Sequence, residues 1–250
     1  MPKPDLMALT GGYRKTPVLQ IGAEIYCDTA LICRVIDRLY PANSVYPLEQ
    51  AAALGAAVHW TDTFLFKVSV AVAFQPKALA GSDLFSDQAA AAAFMADRAE
   101  LSKGSTELGI DLKIAVPYWT MHMQRLDAQL STADFLGGDQ PNVLDFSTYH
   151  CCWFVYKNEA LKPELEQFPA LAQWMLRIAG FGHGEIVSIN GEEAVAIARD
   201  SDIATAPKAT DFVDEQLSVG TSVDVMPIDY GFQPTQGELL LASTEEIVIK

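Results

Sequence analysis

Basic residues are scarce in this chain: 17 Lys and Arg stand against 32 Asp and Glu, a formal net charge of −15 over 250 residues. A surface of that sign repels phosphate backbones and anionic lipid, so neither nucleic acid nor a membrane surface is expected as a partner. Cysteine is sparse as well, limited to Cys27, Cys33, Cys151 and Cys152. None forms a C-x-x-C pair and the histidines do not cluster around them, only His150 adjoining Cys151, so no metal site is expected. Adjacent Cys151 and Cys152 sit in an apolar helical run and read as buried reduced thiols. Nothing points to an oxidising compartment. Long hydrophobic runs are missing too. The most apolar stretch, residues 68–74, is far too short to span a bilayer. Met1-Pro2-Lys3-Pro4-Asp5 leads into no apolar segment, so no signal peptide is expected, and a cytoplasmic location follows by default.

What is present is the composition of a soluble globular protein: 50% hydrophobic and 20% charged residues, enough for one large domain or two small ones. The negative charge is uneven. Residues 186–250 hold twelve acids against Arg199, Lys208 and Lys250, which marks the tail as a separate unit. No calcium loop is spelled there, since the D-x-D-x-D-G spacing is absent. The acids read as a solvated face or a subunit contact.

The first forty-odd residues read as β-β-α. Residues 17–21 form a short buried strand, Gly22-Ala23-Glu24 a turn and Ile25-Tyr26 a second strand. Asp28 or Thr29 then caps a helix with Leu31, Ile32, Val35, Ile36 and Leu39 on one face, and Pro41 ends it. From Pro47 the pattern is helical: one long helix over 48–74 stopped by Pro76, then 87–101, 110–130 with Pro117 as a kink or late start, 142–157, and 168–179. In the tail, Asn190 and Glu193 have capping-box spacing ahead of a short helix. After the Ala/Thr/Pro/Lys stretch 204–209, apolar residues at Val223, Val225, 239–241 and 247–249 read as short strands. Such strands are marginal alone and should pack on the helical body or on another subunit.

Two motifs carry binding chemistry. In Thr16-Pro17-Val18-Leu19, a cis bond before a strand leaves the next residue's backbone N–H and C=O pointing outward, an edge that a peptide ligand can pair with. In Cys27-Asp28-Thr29, a carboxylate and a hydroxyl stand at a helix N-terminus. The free N–H groups and the hydroxyl suit a ligand carboxylate, and Asp28 suits an α-amino group. Taken singly, each motif is more often an ordinary loop-to-strand proline or a plain N-cap.

In this order and spacing, the motifs resemble the glutathione S-transferase family, whose N-terminal domain is thioredoxin-like. The resemblance implies that Thr16-Pro17-Val18 is the family's cis-proline motif in the glutathione site, with the Val18 backbone pairing with the cysteinyl part of glutathione, and that Asp28 and Thr29 grip its γ-glutamyl end. Residues 135–145, Phe-Leu-Gly-Gly-Asp-Gln-Pro-Asn-Val-Leu-Asp, resemble the family's loop and capping motif, with Asn142 as cap and Asp145 closing the box. Residues 168–174 resemble its next helix.

The resemblance implies a partial thioredoxin-like domain over 1–42, an all-helical domain over 47–184 and an acidic helix-plus-β extension over 185–250. It also implies glutathione as substrate, an apolar electrophile as co-substrate, and a homodimer. The departure lies at the start. Fewer than twenty residues precede the proline motif, too few for the family's first strand-helix-strand unit, which supplies the thiol-activating Tyr, Ser or Cys. A shortened chain, a start at an internal Met or natural loss would each account for it. Tyr13 and Cys27 are nearest in sequence to that role, but neither matches the position, so the catalytic residue stays unassigned. The alternative is a non-catalytic protein of the same fold that binds glutathione or hydrophobic ligands. Phe64, Phe66, Tyr118 and Trp119 are candidates to line a hydrophobic pocket. His59, His122 and His150 read as core or groove histidines, and His183 as a loop residue.

Overall fold

The computed structural model describes residues 3–80, 87–107, 109–203 and 217–250. In chain order its elements begin with α1 (Pro4–Thr10), the strands β1 (Val18–Ile21) and β2 (Glu24–Cys27), and α2 (Thr29–Leu39). A 3-10 turn at Leu48–Gln50 then leads into α3 (Ala51–Trp60), a π-helical turn over Thr61–Leu65, α4 (Phe66–Ala73) and the short α5 (Pro76–Ala80). Next come α6 (Gln88–Leu101), α7 (Leu112–Leu130), α8 (Val143–Tyr156), α9 (Lys162–Glu166) and α10 (Pro169–Ala179). The tail supplies α11 (Gly191–Asp200), β3 (Ser222–Val225), β4 (Thr235–Ala242) and β5 (Ile247–Ile249). The expected α/β piece, helical body and β-containing extension are all present.

The chain divides into two compact units. One gathers Met1–Leu39, Phe94–Ser105 and Val187–Lys250; the other holds Tyr40–Ala93 and Thr106–Ile186. In the first, β1 and β2 form an antiparallel hairpin with Ile21 opposite Glu24. Gly22 opens its two-residue loop at φ 59°, a left-handed value that suits a type II′ turn and favours glycine. Asp28 starts α2: its carbonyl accepts from Ile32 N–H (2.9 Å) and its Oδ1 from Ala30 N–H (2.8 Å). Ile32 and Val35 face inward from α2.

The tail belongs to this same unit. Its helix α11 begins with the expected capping box between Asn190 and Glu193. It packs on α1, and Gly191 comes so close to the Asp5 side chain that a Cβ there would collide with it. Gln20 of β1 donates to the Ala194 carbonyl (2.9 Å), which ties hairpin to tail helix. The tail strands form one antiparallel sheet in the order β3-β4-β5, with an irregularity between Leu239 and Leu241. Leu239, Leu241 and Ala242 are buried. The expected strands thus exist, and they pack with the N-terminal segment. Residues 204–209 lie outside the described residues.

The second unit is built on a conventional helical core. Leu65, Val68 and Val72 meet Met123 and Leu126 of α7, Cys152 and Val155 of α8, and Leu171 and Trp174 of α10. The cysteines 151 and 152 are buried and unpaired, as expected. Asp111 caps α7 by accepting from Lys113 N–H, and the helix then continues through Pro117. Pro117 is therefore not a late start. Asp127 of α7 accepts from Ala170 and Leu171 N–H at 2.8 and 3.0 Å, satisfying the first turn of α10. Asn142 and Asp145 form the capping box of α8.

Besides the unexpected α9, three elements differ from the sequence expectation. The single helix over 48–74 is broken by the π turn. Thr63 and Ser69 return hydroxyl bonds to the carbonyls of His59 and Leu65 (2.6 and 2.7 Å), the kind of side-chain competition that perturbs the regular ladder. Pro76, expected only to stop that helix, also opens α5, where its missing N–H falls in a first turn that has no acceptor for it. The helix α1 was not expected at all: it is seven residues long, starts on Pro4 and shows only one buried residue, Thr10.

Candidate glutathione site

The five residues singled out from sequence lie in the first unit. The Thr16–Pro17 bond is cis. Thr16 and Pro17 are exposed, and the Lys3 ammonium reaches the Thr16 hydroxyl at 3.2 Å. The strand register aims Val18. A two-residue loop makes Ile21 and Glu24 a hydrogen-bonded pair, and such pairs alternate along an antiparallel ladder. Val18 and Cys27 are therefore a non-bonded pair, with the N–H and C=O of Val18 directed away from β2.

Asp28 and Thr29 are exposed at the head of α2. Asp28 adopts φ 80°, the one non-glycine residue with positive φ among those described. That left-handed backbone costs about 1 kcal/mol in an ordinary residue, and Asp tolerates it better than most. It is a local irregularity at the point where a ligand would meet the chain.

Around these residues stand Tyr13, Lys15, Cys27, Asp229 and Tyr230. The Lys15 ammonium donates to Asp229 Oδ1 at 2.6 Å and lies 4.3 Å from the Tyr230 ring centroid and 5.5 Å from that of Tyr13. Burial first, and then the Asp28 carboxylate, push the Cys27 thiol up to about 11. The same two causes raise the Tyr13 phenol well above its ordinary range, with Cys27, Tyr230 and Asp229 adding to the shift. Both groups stay protonated at neutral pH. Tyr13 can donate a hydrogen bond but is no base, and Cys27 is no ready nucleophile. Sequence reasoning did not connect Asp229 or Tyr230 with this place; no periodicity signals a pairing across 214 positions.

A cavity of about 270 Å³ opens within the helical unit, lined by Trp60, Phe64, Leu65, Val68, Tyr118, Met121, His122 and Arg125. Of the expected pocket residues, Phe64 and Tyr118 are here, edge to face at 5.3 Å. Phe66 instead packs on Phe154 (6.1 Å), and Trp119 is buried in the core. His122 lies 4.8 Å from the Trp60 ring; burial and then Arg125 lower its pKa to about 4. His59, His150 and His183 are exposed, so of the core-or-groove reading of His59 and His150 only the groove half stays open, and partial burial lowers the His150 pKa. Their helices turn them outward, a choice that local apolar neighbours did not reveal. Among the described residues no three His, Cys, Asp or Glu are grouped to hold a metal, and no helix is long and apolar enough to cross a membrane.

Residues 1–44 match the family model of the glutathione S-transferase N-terminal domain. No curated protein sequence matches the chain. Among solved structures, a GST-like protein from Pseudomonas syringae is 35% identical over 100% of this chain and 78% of its own, with a TM-score of 0.80. Poplar glutathione transferase F1 is 14% identical, covers 80% of each chain and gives a TM-score of 0.49. By its match to the Pseudomonas structure, with the family's N-terminal domain recognised over the candidate site, the chain belongs to the glutathione S-transferase family.

Proposed function

We propose that the chain binds glutathione at Thr16, Pro17, Val18, Asp28 and Thr29, and that it serves the conjugation of the glutathione thiol to an apolar electrophile. The observation that carries this reading is the outward N–H and C=O of Val18 beside the exposed acid and hydroxyl at the head of α2. The Val18 pair hydrogen-bonds the peptide backbone of the cysteinyl part. The Asp28 carboxylate takes the α-ammonium of the γ-glutamyl end, and the Thr29 hydroxyl with the first N–H groups of α2 takes its carboxylate. In the reaction the thiol gives up its proton, the sulfur bonds to the electrophilic carbon, and a leaving group departs or the adduct is protonated. A homodimer in the cytoplasm is the setting that family membership favours.

A second reading is a glutathione-binding protein without transferase activity. It is favoured by the raised pKa of the Cys27 thiol, which leaves that group no ready nucleophile; the protonated Tyr13 hydroxyl can still donate to a thiolate and favours neither reading.

Calorimetric titration with glutathione tests the site. Asp28→Ala should weaken binding more than tenfold, since a charge-assisted contact contributes about 1.5–3 kcal/mol. Asp28→Gly should weaken it as much while leaving stability nearly unchanged, because relief of the left-handed backbone offsets the lost cap. Millimolar glutathione without detectable heat would remove the site. Turnover of an activated aryl halide separates the two readings: conjugation above the uncatalysed rate supports the transferase, and binding without turnover supports the second.

A further inference from the structure

The loop 226–234, between β3 and β4, brings the C-terminal extension to the candidate glutathione site. Three contacts pin it. Ser105 Oγ donates to the Asp229 carbonyl at 2.5 Å, Gly231 N–H to the Leu101 carbonyl at 2.9 Å, and the Lys15 ammonium to Asp229 Oδ1 at 2.6 Å. Lys15 stands three residues ahead of Val18 and its side chain is only 16% exposed, whereas that of Asp229 is 46% exposed. The rings of Tyr13 and Tyr230 flank the same ammonium.

Glutathione carries two carboxylates and one ammonium at neutral pH. Around Tyr13 stand two acids, Asp28 and Asp229, and the Lys15 ammonium, which Asp229 already engages. The geometry points to Asp229 as an internal competitor that masks Lys15, so that a ligand carboxylate gains this ammonium only by displacing the β3–β4 loop carboxylate. The inference rests on the glutathione reading above and adds a specificity element to it, supplied from the far end of the chain.

The exchange is close to balanced. Asp229 is near half exposed and returns to water at small cost, and the net strength of such partly exposed pairs is modest. Lys15 meanwhile keeps its place between two aromatic rings, whose attraction for the ammonium does not depend on which carboxylate is present. Asp229 therefore tunes affinity and does not close the site, and it acts on the ligand only through Lys15.

The test combines glutathione titration with the reactivity of Lys15 toward an amine-acylating reagent, read by mass spectrometry on the full chain. Asp229→Asn should bind glutathione about three- to fivefold more tightly at low salt, with the gain fading at high salt. It should also raise the acylation rate of Lys15. Asp229→Glu should restore wild-type values for both. Lys15→Met should weaken binding, and Asp229→Asn placed in that background should bring no gain. Weaker binding in Asp229→Asn, or a gain that survives without Lys15, overturns the competition. Unchanged acylation with glutathione bound overturns the mask alone. Faster acylation with no glutathione bound by any variant leaves the mask standing and overturns the glutathione reading.

Discussion

The two units reach order by different means. The helical unit buries large side chains from several helices against one another, Leu65, Met123, Leu171 and Trp174 among them, and adds a buried carboxylate, Asp145, that accepts from Asn142 N–H, Leu136 N–H and Trp174 Nε1 at 3.0, 2.8 and 2.9 Å. The other unit has a short hairpin, half-buried strands and a small tail sheet, joined by polar ties such as Gln20 to Ala194, Lys15 to Asp229 and Arg38 to Glu246. A close-packed interior tolerates little change and holds one arrangement, whereas polar ties between partly exposed groups are individually weak. The candidate binding residues lie in the unit with the weaker ties, where local adjustment on ligand binding costs least.

That contrast can be broken or sharpened experimentally. The largest single-residue effect belongs to Asp145. Asp145→Ala leaves three donors without an acceptor in the interior and should cost about 4 kcal/mol in denaturant unfolding. A loss under 1 kcal/mol would mean that the helical core does not depend on its buried network. Removing residues 187–250 should bring hydrogen exchange at Leu19 and Ile21 close to the unprotected rate, because a two-stranded hairpin is marginal by itself. Slow exchange in that shortened chain would show that α1 and α2 suffice to hold β1.

His122 gives an intermediate effect with a definite sign. Its folded pKa of about 4 lies below the ordinary value near 6.5, so the unfolded chain binds the extra proton first. Its contribution is fully present above pH 6.5 and is lost as pH falls toward 4, by about 3 kcal/mol in all. Unfolding midpoints measured across that window should fall with pH in the wild type and fall less in His122→Phe. The smallest effect is expected at Arg38. Its 3.5 Å contact with Glu246 involves a side chain 49% exposed, and Arg38→Ala should change stability by under about 0.5 kcal/mol. A loss several times larger would show that the tail is tied to α2 by this charge pair more than by weak surface contact.

The sequence disclosed whatever rests on short-range pattern. The hairpin with Gly22 at its turn, the start of α2 at Asp28 and the capping boxes at Asn142–Asp145 and Asn190–Glu193 are all signalled within a few residues. The acceptor role of Asp145 toward Asn142 was legible for that reason, but its bond to Trp174, 29 residues on, was not. The π turn after Trp60 escaped because Thr61 to Leu65 has the composition of an ordinary helix; what distinguishes it is hydroxyl bonding along the backbone. The helix α1 was too short for a periodicity to show. For the site, Val18, Asp28 and Thr29 followed from motif order. The approach of Asp229 to Lys15 did not, since it is a tertiary pairing between chain ends that carry no shared pattern.

The joining of residues 1–39 with 187–250 in one compact unit also orders events in time. A chain leaves the ribosome from its N-terminus at about 5–20 residues per second. The hairpin and the head of α2 emerge ahead of the tail, so Gln20 and Lys15 wait for Ala194 and Asp229, partners made 174 and 214 residues later. The intervening helical unit has all of its sequence available earlier and can collapse alone. Residues 15–28 thus spend roughly ten seconds or more without the tail contacts that tie them down in the folded chain.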